Sequence, residues 1–138
     1  MKKILTGTTP RILLGFLFFI GSIGGFIFSF TGSPGVLNPP TSNIGHDFEH
    51  ALQSVSFFWP FMKSIELIGT ICLLSNRAPA LGLALLIPIM AIVVLFHIFL
   101  NPQGLPLAAI VIVLGAVLMN AYQNNFKALL HAIKTAEA

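Results

Sequence analysis

Three side chains able to carry or exchange charge stand inside otherwise apolar sequence. Lys63 and Glu66 occur in Phe61-Met62-Lys63-Ser64-Ile65-Glu66-Leu67-Ile68-Gly69, and His97 in Phe96-His97-Ile98. An ionisable group near the middle of a lipid-embedded helix costs about 2.5–3.5 kcal/mol on insertion scales, so such groups turn inward and find partners. Lys63 and Glu66 are three apart, hence on one helical face and able to pair. One reading is a small polar pocket that hydrogen-bonds a quinone, a proton or a small polar solute. The other is structural: Lys63 snorkels to the headgroups, while Glu66 pairs with it or with His97 to fix helix packing. The pocket is preferred because intramembrane carboxylates mark functional sites by default. The residues alone leave both readings open.

A second constellation is His46-Asp47-Phe48-Glu49-His50, which has the H-x-x-E-H spacing of inverted zinc peptidases. On a helix, His46 and His50 would share a face and could ligate zinc, with Glu49 as general base. Such an enzyme also needs a third ligand and a large domain around the site, and this motif lies in a connecting loop. His46, Glu49 and His50 are therefore weak metal candidates, and an amphipathic lid over the mouth of the pocket is the preferred reading. The one cysteine, Cys72, excludes an internal disulfide, a thiol relay and any Cys/His zinc spacing. It reads as a small hydrophobe. With no nucleophile beside a base, no metal cluster and no nucleotide motif, no catalytic residue is expected, and catalysis by this chain alone is disfavoured.

The elements that must position these groups follow from composition. The chain of 138 residues is 56% hydrophobic and 8% charged, against roughly 25% charged in soluble domains. It lacks the polar residues to coat a water-facing globule, so lipid must be its solvent. Four apolar stretches, 12–30, 55–75, 78–100 and 105–123, are each near the ~20 residues that a helix needs to cross a ~30 Å hydrocarbon core. Continuous apolar runs without alternation exclude a barrel, and helices are the remaining way to satisfy every backbone group in lipid. The expected fold is an all-α integral membrane four-helix bundle forming a single transmembrane domain over 1–138. The Asn76-Arg77 link is so short that the second and third spans must be antiparallel neighbours. Asn101-Pro102-Gln103-Gly104 is a turn cluster between the third and fourth spans. The long loop, 31–54, opens with residues hostile to helix, including Pro34, Pro39 and Pro40, and continues with an expected short interfacial helix at 47–53.

Orientation rests on the cations. Lys2, Lys3, Arg11, Arg77, Lys127 and Lys134 fall on one side if the N-terminus is cytoplasmic, leaving only Lys63 within a span. That bias gives an N-in, C-in topology. The seven Lys and Arg form no basic stripe with interleaved aromatics, so nucleic-acid binding is not expected. A cleaved signal peptide over the first 30 residues is the rival reading. The apolar run is long for one, and no clean cleavage site follows.

Within these spans, helix rise places Glu66 roughly 15 Å, Lys63 roughly 10 Å and His97 roughly 5 Å below the outer ends of their helices. All three thus lie in the outer half of the bundle. Pro88 is expected to kink the third span and free a carbonyl. Gly21 and Gly25 make a small-xxx-small face, read as packing inside the bundle in preference to a dimer face. The phenylalanines of the first span read as lipid-facing or packing bulk. Trp59 and Tyr122 are placed at the two interfaces, and Asn120 is expected to bond another helix.

Taken in order, these residues resemble the DoxX-like membrane proteins, small bacterial four-helix proteins. The resemblance begins at Arg11-Ile12-Leu13-Leu14-Gly15 and strengthens at Lys63-Ser64-Ile65-Glu66-Leu67-Ile68-Gly69 and Leu73-Leu74-Ser75-Asn76-Arg77. It is densest from Pro88 through His97 to Leu107, and closes at Ala121-Tyr122. It covers nearly the whole chain apart from the long loop. It implies a four-helix bundle in the bacterial inner (cytoplasmic) membrane and a loose association with redox, including quinone-linked oxidoreductases. Glu66 and His97 correspond to polar positions of that family. Two departures weaken the transfer of a shared ligand: relatives often carry Asn where Ile92 and Val93 stand, and Asn-Gly-Phe where Gly24-Gly25-Phe26 stands. The function expected first is a quinone- or redox-linked accessory subunit with a polar intramembrane pocket. A non-enzymatic scaffold with a protein partner or a homo-oligomer is the alternative. A small-solute transporter is less favoured, because inverted repeats and broken helices are not evident.

Overall fold

The structure, a computed structural model, describes residues 7–32 and 40–136, with the side chains of 129, 130 and 132–136 left out. Lys2, Lys3 and most of the proline-rich turn region, 33–39, lie outside the described residues, as does the side chain of Lys134.

The described residues are helical, without strands. The order is α1 Thr9–Thr31, α2 Asn43–Ser54, α3 Phe58–Leu74, α4 Pro79–Phe99, a 3₁₀ turn at Pro102–Gly104, α5 Leu105–Ala121 and α6 Gln123–Ala136. Thr9–Thr31, Pro79–Phe99 and Pro102–Ala121 are long and apolar enough to cross a membrane, with mean hydropathies of 2.2, 2.7 and 2.2. α3 has 17 residues, about 25 Å of helix. It passes the same test when joined to α2, from which it is bent by 96°. The chain is a multi-pass membrane protein with three or four spans.

α1 packs on α3 and α5, and α4 packs on the same two helices, so these four close a ring. Leu14, Phe18, Leu73, Leu83, Leu86, Ile89, Met90, Val111 and Leu118 fill its centre. Outward, Leu13, Phe16, Ile71, Leu95, Ile110 and Val113 are each more than half exposed. Water would not tolerate so much contiguous apolar surface on a monomer. Lipid does, and since lipid is as apolar as leucine, the helices are held to one another by close van der Waals packing. Gly69 and Gly82, both buried and in contact, let α3 and α4 approach closely.

Several elements differ from the sequence expectations. The short helix begins at Asn43 instead of 47, because Ser42 is an effective cap: it takes an extended conformation and its hydroxyl accepts from the Gly45 N–H at 3.1 Å. The second span starts at Phe58 because Val55, also extended, ends α2. The last span stops at Ala121, where Tyr122 leaves helical geometry, and an unanticipated amphipathic helix, α6, follows. Asn120 is exposed and accepts from Gln123 Nε2, at the start of α6, at 3.4 Å.

Candidate functional site

Two residues on α3 set the chemistry. Lys63 Nζ lies 2.7 Å from Glu66 Oε2, with side-chain exposures of 13% and 3%. The pairing follows from i, i+3 spacing, but its depth is made possible by α1. Gly25 sits against the Lys63 stem, where a Cβ would overlap the lysine carbons. A Cβ on Gly21 would stand 3.0 Å from Glu66 Oε1. The small-residue face of α1 therefore accommodates the ion pair. Trp59, one turn before Lys63, places its ring 5.3 Å below the ammonium, a cation–π distance, and donates its indole N–H to the Gly25 carbonyl at 3.3 Å. Trp59 is thus half-buried against α1.

α4 contributes His97 from its last turn. The imidazole is buried, packs edge-on to Phe96 at 5.3 Å, and lies over Gly104, where any Cβ would overlap the ring. His97 Nδ1 is buried without a hydrogen-bond partner. An orphaned acceptor is better tolerated in proteins than an orphaned N–H. An imidazole protonated at Nε2 would leave Nδ1 as a bare acceptor and could offer Nε2–H to a ligand.

α2 closes the same end. Asn101, buried just after α4, accepts from the Ser42 N–H at 3.2 Å and donates to the Pro40 carbonyl at 3.3 Å, while the Ser42 hydroxyl donates to the Leu100 carbonyl. Phe48 of α2 meets Phe96 of α4 at 5.9 Å. This clamp holds Glu49 half-buried at the same end. Burial pushes its carboxyl above the ordinary range, opposed by the positive fields of His46, Lys63 and His97.

These groups share one cavity of about 570 Å³, lined on its polar side by Glu49, Lys63, Glu66, His97, Asn101 and Gln103. Most of its wall is apolar, from residues such as Leu17, Phe18, Met62, Ile89, Val93 and Leu107. Lys63, Glu66 and His97, singled out in the sequence, are brought to one space. The zinc-type motif is not assembled. His46 and His50 are exposed while Glu49 turns inward, and no group of three or more His, Cys, Asp or Glu comes together among the described residues. Asn101 escaped the sequence reading because its partners are about 60 residues away in the chain, and its Asn-Pro-Gln-Gly context reads as a turn. Arg11 escaped as well: it is buried near the opposite end, with Nε and Nη1 unpartnered.

A cavity of this volume, mostly apolar with a few convergent polar groups, is the usual form of a small-molecule site. The arrangement can donate hydrogen bonds from Lys63 and His97 to an acceptor on a largely apolar ligand. It presents no nucleophile poised beside a base. Comparison with family models, curated proteins and solved structures gives no match.

Proposed function

We propose that this chain binds the head of a quinone in the cavity beside Glu66 and His97, as a redox-linked accessory subunit of a bacterial inner membrane. In this reading α1, α3, α4 and α5 cross the bilayer as a four-helix bundle, α2 covers the outer mouth, and both termini are cytoplasmic. The chain is proposed to be DoxX-like, on the motifs through Lys63, Glu66 and His97.

The observation that carries the reading is one apolar cavity into which α2, α3 and α4 each direct an ionisable side chain. A quinone ring is apolar with two carbonyl acceptors. Lys63 uses one donor on Glu66 and retains others, and a His97 ring protonated at Nε2 adds one more. Glu66 holds the ammonium in place and neutralises it. Orientation is supported by charge: Arg11, Arg77 and Lys127 lie at the end opposite α2, and Lys63 is, among the described residues, the one Lys or Arg near α2.

Calorimetric titration of the detergent-solubilised chain with a short-chain quinone tests it. Saturable heat that disappears in a monodisperse Glu66→Ala variant is expected; dilution heat alone in the unmodified chain contradicts it. Arg77→Cys should be labelled by an impermeant thiol reagent only from the cytoplasmic face.

A scaffold role is the second reading. The 2.7 Å Lys63–Glu66 pair satisfies itself without a ligand, and a purely structural ion pair would do the same. That reading expects a stable protein partner and full tolerance of Glu66→Gln.

A further inference from the structure

At the end of the ring opposite the cavity, Arg11 is in an unusual position for a cation. It lies in the first turns of α1 and is 9% exposed. Its Nε and Nη1 are buried with no hydrogen-bond partner. Unpaired burial of a charge is costly, and such groups are ordinarily paired with an anion. A guanidinium cannot escape by neutralising itself.

No described residue supplies the counter-charge. The chain has four acids: Asp47, Glu49 and Glu66 belong to α2 and α3 at the cavity end, and Glu137 lies outside the described residues. Arg77 is exposed in the α3–α4 link, Lys127 is exposed on α6, and the Tyr122 hydroxyl lies within the electrostatic reach of Arg11. Tyr122 and Phe126 also pack against the core, so α5 and α6 wall this corner on one side.

We propose that Arg11 is the centre of an anion site for a phosphate group, occupied by the phosphodiester of an anionic phospholipid or by free phosphate. Phosphate fits because its oxygens accept charge-assisted hydrogen bonds from the guanidinium donors that the fold leaves unmet. Arg11 starts a membrane-crossing helix, at the level where lipid headgroups sit. Arg77 and Lys127 raise the local concentration of anions without being part of the buried site.

The test uses the full chain in phosphatidylcholine nanodiscs, with phosphatidylglycerol added in one arm and inorganic phosphate in the other, reading thermal stability and, by native mass spectrometry, retained lipid. Saturable stabilisation in either arm is expected. It should weaken at least about tenfold in Arg11→Met and less in Arg11→Lys, while Arg77→Met leaves it within about twofold of the unmodified chain. The arm that responds identifies the source. If Arg11→Met fails to fold, Arg11→Lys carries the comparison. No saturable response in either arm, an equal response in Arg11 and Arg77 variants, or a response that appears only in Glu137→Gln would each overturn the proposal.

Discussion

Gly25 of α1 lies directly against the aliphatic stem of Lys63, so that the lysine is buried up to an ammonium 2.7 Å from Glu66. A missing side chain on one helix thereby creates room for a charged one on the next. Gly25→Ala should overlap that stem and lower stability by about 1–3 kcal/mol. Gly24→Ala, whose Cβ meets nothing within 4 Å, should be neutral or stabilising. Thermal melts of the two variants in detergent check this, and equal melting temperatures contradict it.

The ion pair itself should behave asymmetrically. Glu66→Leu leaves the Lys63 ammonium buried without its anion and should cost about 3–5 kcal/mol. Adding Lys63→Met should recover most of that loss, because two apolar side chains of similar volume satisfy each other. A double-mutant cycle followed by denaturation in mixed micelles measures the coupling; additive losses show that the two residues do not interact.

Much of this architecture can be read from the sequence, for a physical reason. Lipid solvation demands long apolar runs, and those runs appear as α1, α4 and α5 within a few residues of their expected limits. Lys63, Glu66 and His97 stand out because charge in such runs is rare. What could not be read depends on partners distant in the chain. Asn101 looks like a turn residue until Pro40 and Ser42 are seen on its amide. Gly25 looks like a helix-packing residue until the lysine it accommodates is known. α6 was missed because the polar Gln123-Asn124-Asn125 stretch, following the last span, reads as a tail, and its periodicity begins only after the break at Tyr122.

Asn101→Ala should release the N-terminal end of α2. Loss of two hydrogen bonds from a buried amide costs about 1–3 kcal/mol, and the loss falls on the attachment of α2 more than on the ring. Hydrogen exchange should rise across 43–54 and stay unchanged in α4 and α5. Uniform acceleration throughout the protein contradicts a local clamp.

The docking of α2 should also depend on pH. Burial raises Glu49 above its ordinary range, so docked α2 binds more protons than undocked α2, and docking loses stability as pH rises. Docking is strongest below the ordinary carboxylate range and weakens as pH climbs from there to the raised value. Exchange protection of 43–54, corrected for intrinsic rates, should fall over that interval. Glu49→Gln should remove that component and leave any histidine contribution intact; an unchanged profile shows that Glu49 does not drive it.

Trp59 is the single tryptophan of the chain and lines the cavity beside Lys63, so its fluorescence reports on the site with no added label. Titration of the detergent-solubilised protein with a short-chain quinone should quench it saturably, with affinity at least about tenfold weaker in Glu66→Ala. Quenching that rises linearly without saturation, and equally in both proteins, would mean that the cavity holds no quinone.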